Sequence, residues 1–180
     1  MERKEKNFRS ITFVLFIIFF IWILLQFLAP IMLPKGSVDD FSGFAGSIDN
    51  KDFMDNMSFP WNYIYLSGDI FCHQKVERSF ILNENSMPFC ARCTAIFVGI
   101  VIGLGIMLLY TINLDRNFLV IVVFSLIPIG IDGIMQLFGF WESTNIIRVI
   151  TGLLVGIVCG LSVGVIVDEV QIIRREKIKK

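Results

Sequence analysis

Charged residues are scarce in this 180-residue chain. Asp, Glu, Lys and Arg make up 18% of it, whereas hydrophobic residues make up 55%. A soluble globular domain averages about 25% charged and about 45–50% apolar residues, so the composition indicates a membrane protein. Acidic and basic residues balance at 16 each, so the chain has no net positive field that would draw nucleic acid to it.

Long apolar runs dominate the sequence instead. A helix crosses a bilayer with about 20 mostly apolar residues, because each residue rises about 1.5 Å through about 30 Å of hydrocarbon. Four segments reach that length: Ile11–Leu33, Thr94–Ile112, Phe118–Phe140 and Ile146–Val167. The sequence therefore predicts an all-α integral membrane protein with four transmembrane helices and a long extracytoplasmic loop between helices 1 and 2.

Basic residues flank the outer ends of the first and last spans, and they predict the orientation. They are Arg3, Lys4, Lys6 and Arg9 before the first span, and Arg174, Arg175, Lys177, Lys179 and Lys180 after the last. Basic residues near span ends favour the cytoplasm. Residues 34–93 agree, because they carry five basic residues against eight acidic ones. We predict a multi-pass protein of the cell membrane with both termini in the cytoplasm.

This topology divides the chain into four segments. Residues 1–33 form a cytoplasmic basic tail and the first span, 34–71 an extracytoplasmic acidic loop, 72–168 a Cys/His motif with the other three spans, and 169–180 a second cytoplasmic basic tail. Within the loop, Trp61, Tyr63 and Tyr65 have amphipathic rings of the kind found at headgroup depth. Their segment, Phe59–Phe71, is too short to span, so we predict an interfacial or re-entrant piece.

The single histidine and three of the four cysteines lie close to the start of the second span. Cys72 and His73 are adjacent, and Cys90 and Cys93 form a C-x-x-C. Three thiolates and an imidazole make the Cys₃His set of a tetrahedral zinc site. A helix start suits such a site because its N–H groups and dipole favour anionic sulfur. The sequence therefore predicts that these four residues bind zinc or another transition metal.

Two other interpretations of the cysteines stay open. One is a redox-active C-x-x-C, and the other is a structural disulfide from Cys72 to Cys90 or Cys93, because disulfides persist in extracytoplasmic loops. Cys159 is expected to take no part. It lies roughly 20 Å into the last span at a rise of about 1.5 Å per residue, and we predict a buried small residue on the helix-packing face.

Polar residues inside the spans form a second candidate site. Asp132 and Gln136 share one face of the third span, and Asn145 and Arg148 lie near the start of the fourth. A charge inside a span costs about 2.5–3.5 kcal/mol on insertion scales and is usually paired or functional. Helix direction puts all four in the leaflet of the C-x-x-C. We predict an Asp132–Arg148 pair, which is either a structural ion pair between two helices or part of an outer layer around the metal ligands, a proton route or a polar ligand pocket below the cysteines. The rim of that pocket would hold Glu77, Arg78 and Arg92.

Glycine recurs every fourth residue in the last span, at Gly152, Gly156, Gly160 and Gly164. Small residues at this spacing let two helices approach closely, since packing drives helix association in lipid. We predict tight packing within the bundle, with a homo-oligomer through this face as the alternative.

Several stretches resemble one family of small prokaryotic membrane proteins, known as domain of unknown function 2085. They are "CHQKVERSF" (Cys72–Phe80), "CARCTAIFVG" (Cys90–Gly99) and, more weakly, "IDGIMQ" (Ile131–Gln136) with "STNIIRVITGLLVG" (Ser143–Gly156). The resemblance covers roughly residues 72–164. It implies a multi-pass membrane protein and supports the cysteine motifs as a site, but it implies no particular activity.

Three functions follow from these observations. The leading hypothesis is a metal-binding membrane protein. The alternative is an enzyme, because an outward C-x-x-C in a four-helix bundle looks like the quinone-linked disulfide oxidases and the vitamin K epoxide reductase group. That likeness implies a thiol pair that passes electrons to a quinone, although such relays generally use two cysteine pairs. The third is a transporter or channel component built on the Asp132–Arg148 core. Whether the chain is an enzyme stays open.

Overall fold

The computed structural model describes residues 2–38 and 46–178. The elements in chain order are α1 (Glu2–Met32), α2 (Lys51–Met54), α3 (Trp61–Phe71), a 3₁₀ turn (Val76–Arg78), β1 (Ser79–Leu82), β2 (Asn85–Cys90), α4 (Ala91–Leu109), α5 (Arg116–Leu137) and α6 (Asn145–Ile178). The middle of the predicted acidic loop, 39–45, and the last two lysines of the predicted basic tail lie outside the described residues.

Four of these helices are long and apolar enough to cross a membrane. The candidate spans are Ser10–Met32, Ala91–Leu109, Arg116–Leu137 and Asn145–Arg174. The prediction of a mostly helical membrane protein with four spans is therefore confirmed. The second span begins at Ala91, three residues before the predicted Thr94, so the C-x-x-C lies partly inside the helix and not wholly before it.

Local contacts explain where α5, the third span, begins and ends. The Asp115 carboxylate accepts a hydrogen bond from the Phe118 N–H at 2.8 Å, which caps the first turn of α5. At the other end Gly139 has a φ of +70°, a conformation that costs glycine little. The Phe140 N–H then reaches the Met135 carbonyl at 3.0 Å and closes the helix end.

The glycine face of α6 packs directly on the backbone of α4. A Cβ on Gly156 would lie 2.2 Å from the Ile96 carbonyl oxygen, and one on Gly160 would lie 2.4 Å from that of Ile100. Packing within the bundle is thereby confirmed. Because α4 covers this face, a second copy of the chain could use it only by displacing α4.

The two helices run parallel. Gly152 lies against the Arg92 carbonyl near the start of α4, whereas Gly164 lies against Met107 near its end. Cys159 is exposed, so its predicted burial on the packing face is wrong. Successive helical residues are rotated by about 100°, so the residue before Gly160 points away from the glycine face.

A short antiparallel hairpin, which the sequence analysis did not predict, precedes α4. β1 and β2 pair with Leu82 opposite Asn85. Between them, Asn83 and Glu84 have φ values of 54° and 57°. A two-residue turn with both φ values positive matches the right-handed twist of the strands. Asn83 adopts this conformation readily, but Glu84 gives no such signal in the sequence.

Asn85 fixes the hairpin to the end of α1. Its Nδ2 donates to the carbonyls of Pro30 at 2.8 Å and Pro34 at 3.0 Å, and its Oδ1 accepts from the Val38 N–H at 2.9 Å. The last carbonyls of a helix have no partner within the helix. The buried Asn85 side chain therefore satisfies backbone groups where the first span ends.

The aromatic segment forms helix α3, whose 11 residues are too few to span a bilayer. Tyr65 is buried, and its hydroxyl donates to the Ser86 carbonyl at 2.7 Å. Phe59, Tyr63 and Phe71 are exposed. One side of α3 therefore packs on β2, and its placement at the membrane interface stays a prediction.

Candidate metal centre

Three cysteines from three adjoining elements converge at the start of α4. Cys72 directly follows α3, Cys90 ends β2 and caps α4, and Cys93 lies in the first turn of α4. Their sulfur atoms all lie within 4.8 Å of one another, and all three thiols are free. Within the described part of the chain, no carboxylate or imidazole joins the group.

The backbone also contributes to this cluster. The Cys90 N–H donates to the Cys72 sulfur at 3.4 Å. Cys90 and Cys93 are three residues apart across a helix start, and residues at this spacing share one helix face. The C-x-x-C therefore presents two sulfurs on one side of α4. Cys72, which follows α3, is brought to them by tertiary contacts.

Gln74 holds the segment after α3 in place. Its side chain is buried, and its Nε2 donates to the Tyr65 carbonyl on α3 at 3.1 Å and to the Pro88 carbonyl on β2 at 3.0 Å. Gln74 itself has a φ of 43°, which turns the chain just after Cys72. Residues held in such sparsely populated conformations need support from their surroundings. The Gln74 amide therefore ties together the two elements that carry Cys72 and Cys90.

The structure does not bring His73, the fourth predicted ligand, to the cluster. Its side chain is exposed, and its ring nitrogens do not lie within 4.8 Å of all three sulfurs. Cys72 has an extended backbone with φ −140° and ψ 155°, and neighbouring side chains in extended chain point opposite ways. Coordination by His73 stays a prediction that would require this segment to turn differently.

Gly68 allows α3 to reach β2. A Cβ at this position would lie 1.9 Å from the Pro88 carbonyl oxygen and 2.5 Å from the Gln74 Nε2. Both atoms are engaged in the contact that aligns Cys72 with Cys90, so any side chain here forces the two elements apart.

We therefore expect Gly68→Ala to separate Cys72 from Cys90. Overpacking of this kind costs about 1–3 kcal/mol. After a chelator has removed any bound metal, mild oxidation should join the two thiols readily in the unmodified chain and at least tenfold more slowly in the variant, measured by mass spectrometry of peptides. Gly105→Ala is the matched control, because a Cβ there meets only the Phe16 ring at 3.4 Å. Equal rates in all three proteins would contradict this role for Gly68.

Cys90 is the cysteine of the cluster that accepts hydrogen bonds from the other two. The thiols of Cys72 and Cys93 donate to it, as do the backbone N–H groups of Cys93 and Arg92, and together they lower the pKa of Cys90 to about 2 although burial acts in the opposite direction. The pKa of Cys72 is raised, chiefly by its hydrogen bond to Cys90. The thiolate is the form of cysteine that binds metals and attacks as a nucleophile. The lowered pKa of Cys90 therefore favours both metal binding and thiol–disulfide exchange at this residue.

Asp132 pairs with a different arginine from the one predicted. It is buried and forms an ion pair with Arg92 of α4, and the Gln136 Nε2 donates to its Oδ2 at 3.0 Å. Arg148 instead donates to Asn145 Oδ1 at 2.9 Å. The predicted Asp132–Arg148 pair is therefore wrong. Arg92, which was expected only at the rim of the polar pocket, projects from the first turn of α4 and forms the ion pair with Asp132 of α5 in place of Arg148.

The two remaining rim residues lie on the 3₁₀ turn. The Glu77 carboxylate is 3.9 Å from the Arg78 Nε, and its side chain is 64% exposed, so water screens this pair. Arg78 and Arg92 lie close enough to Arg148 to act on its charge, and so do Cys90 and Asp132. The roles of these residues around the site stay predictions.

Fold and site together define a class: a multi-pass membrane protein with a cysteine cluster where one of its spans begins. Residues 72–162 match the family of predicted membrane proteins DUF2085. The chain belongs to this family, and the matched residues begin at the first cysteine of the cluster.

Two archaeal proteins are similar to this chain in sequence. An uncharacterised protein of Methanocaldococcus jannaschii is 31% identical over 159 residues, which cover 84% of this chain and 86% of the relative. An uncharacterised protein of Methanothermobacter thermautotrophicus is 37% identical over 92 residues, which cover 51% of this chain and 81% of the relative. No solved structure matches the chain.

Proposed function

We propose that this membrane protein binds a transition metal ion, zinc foremost, through Cys72, Cys90 and Cys93. The observation that carries the proposal is the convergence of the three sulfurs to within 4.8 Å of one another. Zinc–sulfur bonds of about 2.3 Å in a tetrahedron separate two sulfurs by about 3.8 Å. Small side-chain movements would therefore close the cluster around one ion.

The number of thiols favours a metal over a disulfide. A disulfide within the cluster would leave one of its three thiols unused, whereas one metal ion engages all three. The surroundings favour thiolates as well, because Arg92, Arg148 and the positive end of α4 lie nearby. Soft thiolate ligands select zinc, copper(I) or iron–sulfur clusters over hard cations such as calcium.

Three protein ligands leave one position of a tetrahedral ion for water or a substrate, which is the arrangement of catalytic zinc sites. The ion would also link the end of α3 to β2 and α4, and so hold the loop on the bundle. The flanking charges of the spans favour a site at the extracytoplasmic face of the cell membrane, where Arg92 links it to Asp132 and Gln136 in the bundle.

Protein purified without added metal should contain about one metal ion per chain, measured by plasma mass spectrometry. Cys90→Ser should lose it, because two thiolates bind far more weakly than three. Cys159→Ser is the matched control, since this exposed cysteine lies outside the cluster, and it should keep the metal. His73→Ala should keep it as well. Metal-free protein with a reversible Cys90–Cys93 disulfide would overturn the proposal and favour a thiol–disulfide oxidoreductase that uses a quinone.

A further inference from the structure

An open groove lies between α1 and α4, beside the end of α3. Residues of α1, α3, β2 and α4 line it, and its volume is about 370 Å³. Within the described residues, the surface that lines it is wholly apolar. The hydroxyl of Ser67, which belongs to the lining, donates to the Ile64 carbonyl at 2.6 Å. Ligand sites usually have volumes of about 300–1,000 Å³, so the groove is large enough to hold a ligand.

Three aromatic rings in contact with one another form part of the groove wall. Trp22 of α1, Phe89 of β2 and Phe97 of α4 meet edge to face, with ring centroids 5.5, 6.0 and 6.1 Å apart. Aromatic pairs at such distances and angles attract one another beyond their burial. Each ring therefore holds the other two in place, and the groove is formed before a ligand enters it.

The open side of the groove faces the bilayer. Ile18 and Ile21 line the groove but are exposed, and both lie in the first span. Phe71, the last residue of α3, also lines it and is 73% exposed. Because the exposed surface of a span meets lipid, a ligand enters this groove sideways from the membrane.

The position of the groove along α1 determines its depth in the membrane. Its lining on α1 extends from Ile18 to Leu25. These residues lie about 21 and about 10 Å from the span end at Met32, at a rise of about 1.5 Å per residue. One leaflet contributes about half of a hydrocarbon core of about 30 Å. The groove therefore runs through the hydrocarbon of one leaflet and ends near the middle of the bilayer, where the chains of that leaflet also end.

We propose that this groove binds one hydrocarbon chain of a membrane phospholipid. A wholly apolar lining matches a row of methylene groups, and at this depth the bilayer supplies such chains and no water. A volume of about 370 Å³ holds about twelve groups of the size of a water molecule, about 30 Å³ each. A quinone ring fits less well, because its carbonyl oxygens need hydrogen-bond donors and the lining offers none.

The groove lies behind the strand that carries one of the cysteines. Phe89 directly precedes Cys90 in β2, and neighbouring side chains of a strand point to opposite faces. A chain in the groove therefore supports β2 from the face opposite the Cys90 thiol. This binding does not require a metal at the cysteines.

Tryptophan fluorescence in vesicles tests the inference. Trp61→Phe/Trp141→Phe leaves Trp22 as the only tryptophan of the chain. In vesicles of phosphatidylcholine brominated in the middle of its chains, Trp22 fluorescence should be at least twofold weaker than in the unbrominated lipid, because bromine quenches on contact. Ser67→Phe places a ring in the groove and should remove at least half of this quenching. Ser58→Phe makes the same change at an exposed serine outside the groove and should leave the quenching unchanged.

A second pair of variants decides if Ser67→Phe fails to fold. Leu25→Phe narrows the groove from α1 and should also reduce the quenching, whereas Leu24→Phe changes the exposed neighbour, which does not line the groove. Equal quenching in the groove variants and their controls, or an unquenched Trp22, overturns the inference.

Mass spectrometry identifies the occupant. Protein released from vesicles that contain both phosphatidylcholine and a prenylquinone should retain about one phospholipid per chain, and Ser67→Phe should lose it. A retained prenylquinone overturns the assignment of the groove to a phospholipid. Neither result depends on the metal content, so the outcome for this groove and the outcome for the proposed metal site are separate.

Discussion

Gly156→Val should separate α4 from α6 and leave little folded protein. A Cβ on Gly156 alone would lie 2.2 Å from the Ile96 carbonyl oxygen and 2.9 Å from the Gly99 Cα. These are backbone atoms, so no side chain can rotate to make room. Overpacking costs about 1–3 kcal/mol where side chains can adjust, and we expect this substitution to exceed that range.

Heating in detergent with detection by size-exclusion chromatography would measure this effect. Gly130→Val is the matched control, because Gly130 also lies in a span but a Cβ there meets no atom within 4 Å. We expect the control to elute and melt as the unmodified chain does. The metal should be lost together with the fold in Gly156→Val, since α6 packs on the helix that carries Cys93. A variant that melts unchanged would mean that α4 and α6 are not in backbone contact.

Asp132→Ala should destabilise the bundle by about 3–5 kcal/mol, the cost of removing one partner of a buried ion pair. The substitution leaves the Arg92 guanidinium and the Gln136 amide without their common acceptor. The upper value is a limit, because the Arg92 side chain is 23% exposed and part of its charge reaches water. The loss should loosen α5, since Asp132 is one of the few buried residues of this helix.

A double-mutant cycle isolates the pair. Arg92→Ala/Asp132→Ala should be more stable than Asp132→Ala alone, because it removes the Arg92 charge that the single variant leaves unpaired. Glu142→Ala changes an exposed acidic residue of the loop before α6 and serves as the control for loss of a carboxylate. Additive effects in the cycle, measured as free energies of unfolding in mixed micelles, would show that the two side chains do not interact.

The features that depend on local composition could be predicted from the sequence. The four spans follow from runs of apolar residues, and their bounds differ from the structure by one to three residues, except that the last span continues seven residues beyond the predicted Val167. The glycine spacing correctly predicted packing between helices of one chain. The three cysteines that converge were also identified: Cys90 and Cys93 by C-x-x-C spacing at a helix start, and Cys72 because it lies with His73 in the same predicted loop.

The features that depend on distant contacts were not predicted. Arg92 and Arg148 both lie near Asp132, and the sequence alone does not show that Arg92 forms the ion pair, because the choice depends on how three helices are placed relative to one another. Gly68 and Gln74 align the cysteines through the backbone of Pro88, 20 and 14 residues away in the chain. The hairpin turn uses Asn-Glu and not the common Asn-Gly, so its sequence lacks the usual signal.

The contact between Asn85 and the end of α1 has a consequence for synthesis in the cell. The Pro30 carbonyl that Asn85 satisfies lies 55 residues earlier in the chain. If α1 enters the membrane as the chain is synthesised, Asn85 follows later than the helix end that it completes. Unpaired carbonyls cost several kcal/mol in hydrocarbon, so until the hairpin arrives the end of α1 has to stay hydrated at the membrane surface. The last turn of the first span is thus completed only when the hairpin packs on it, and the hairpin brings Cys90 to the same surface.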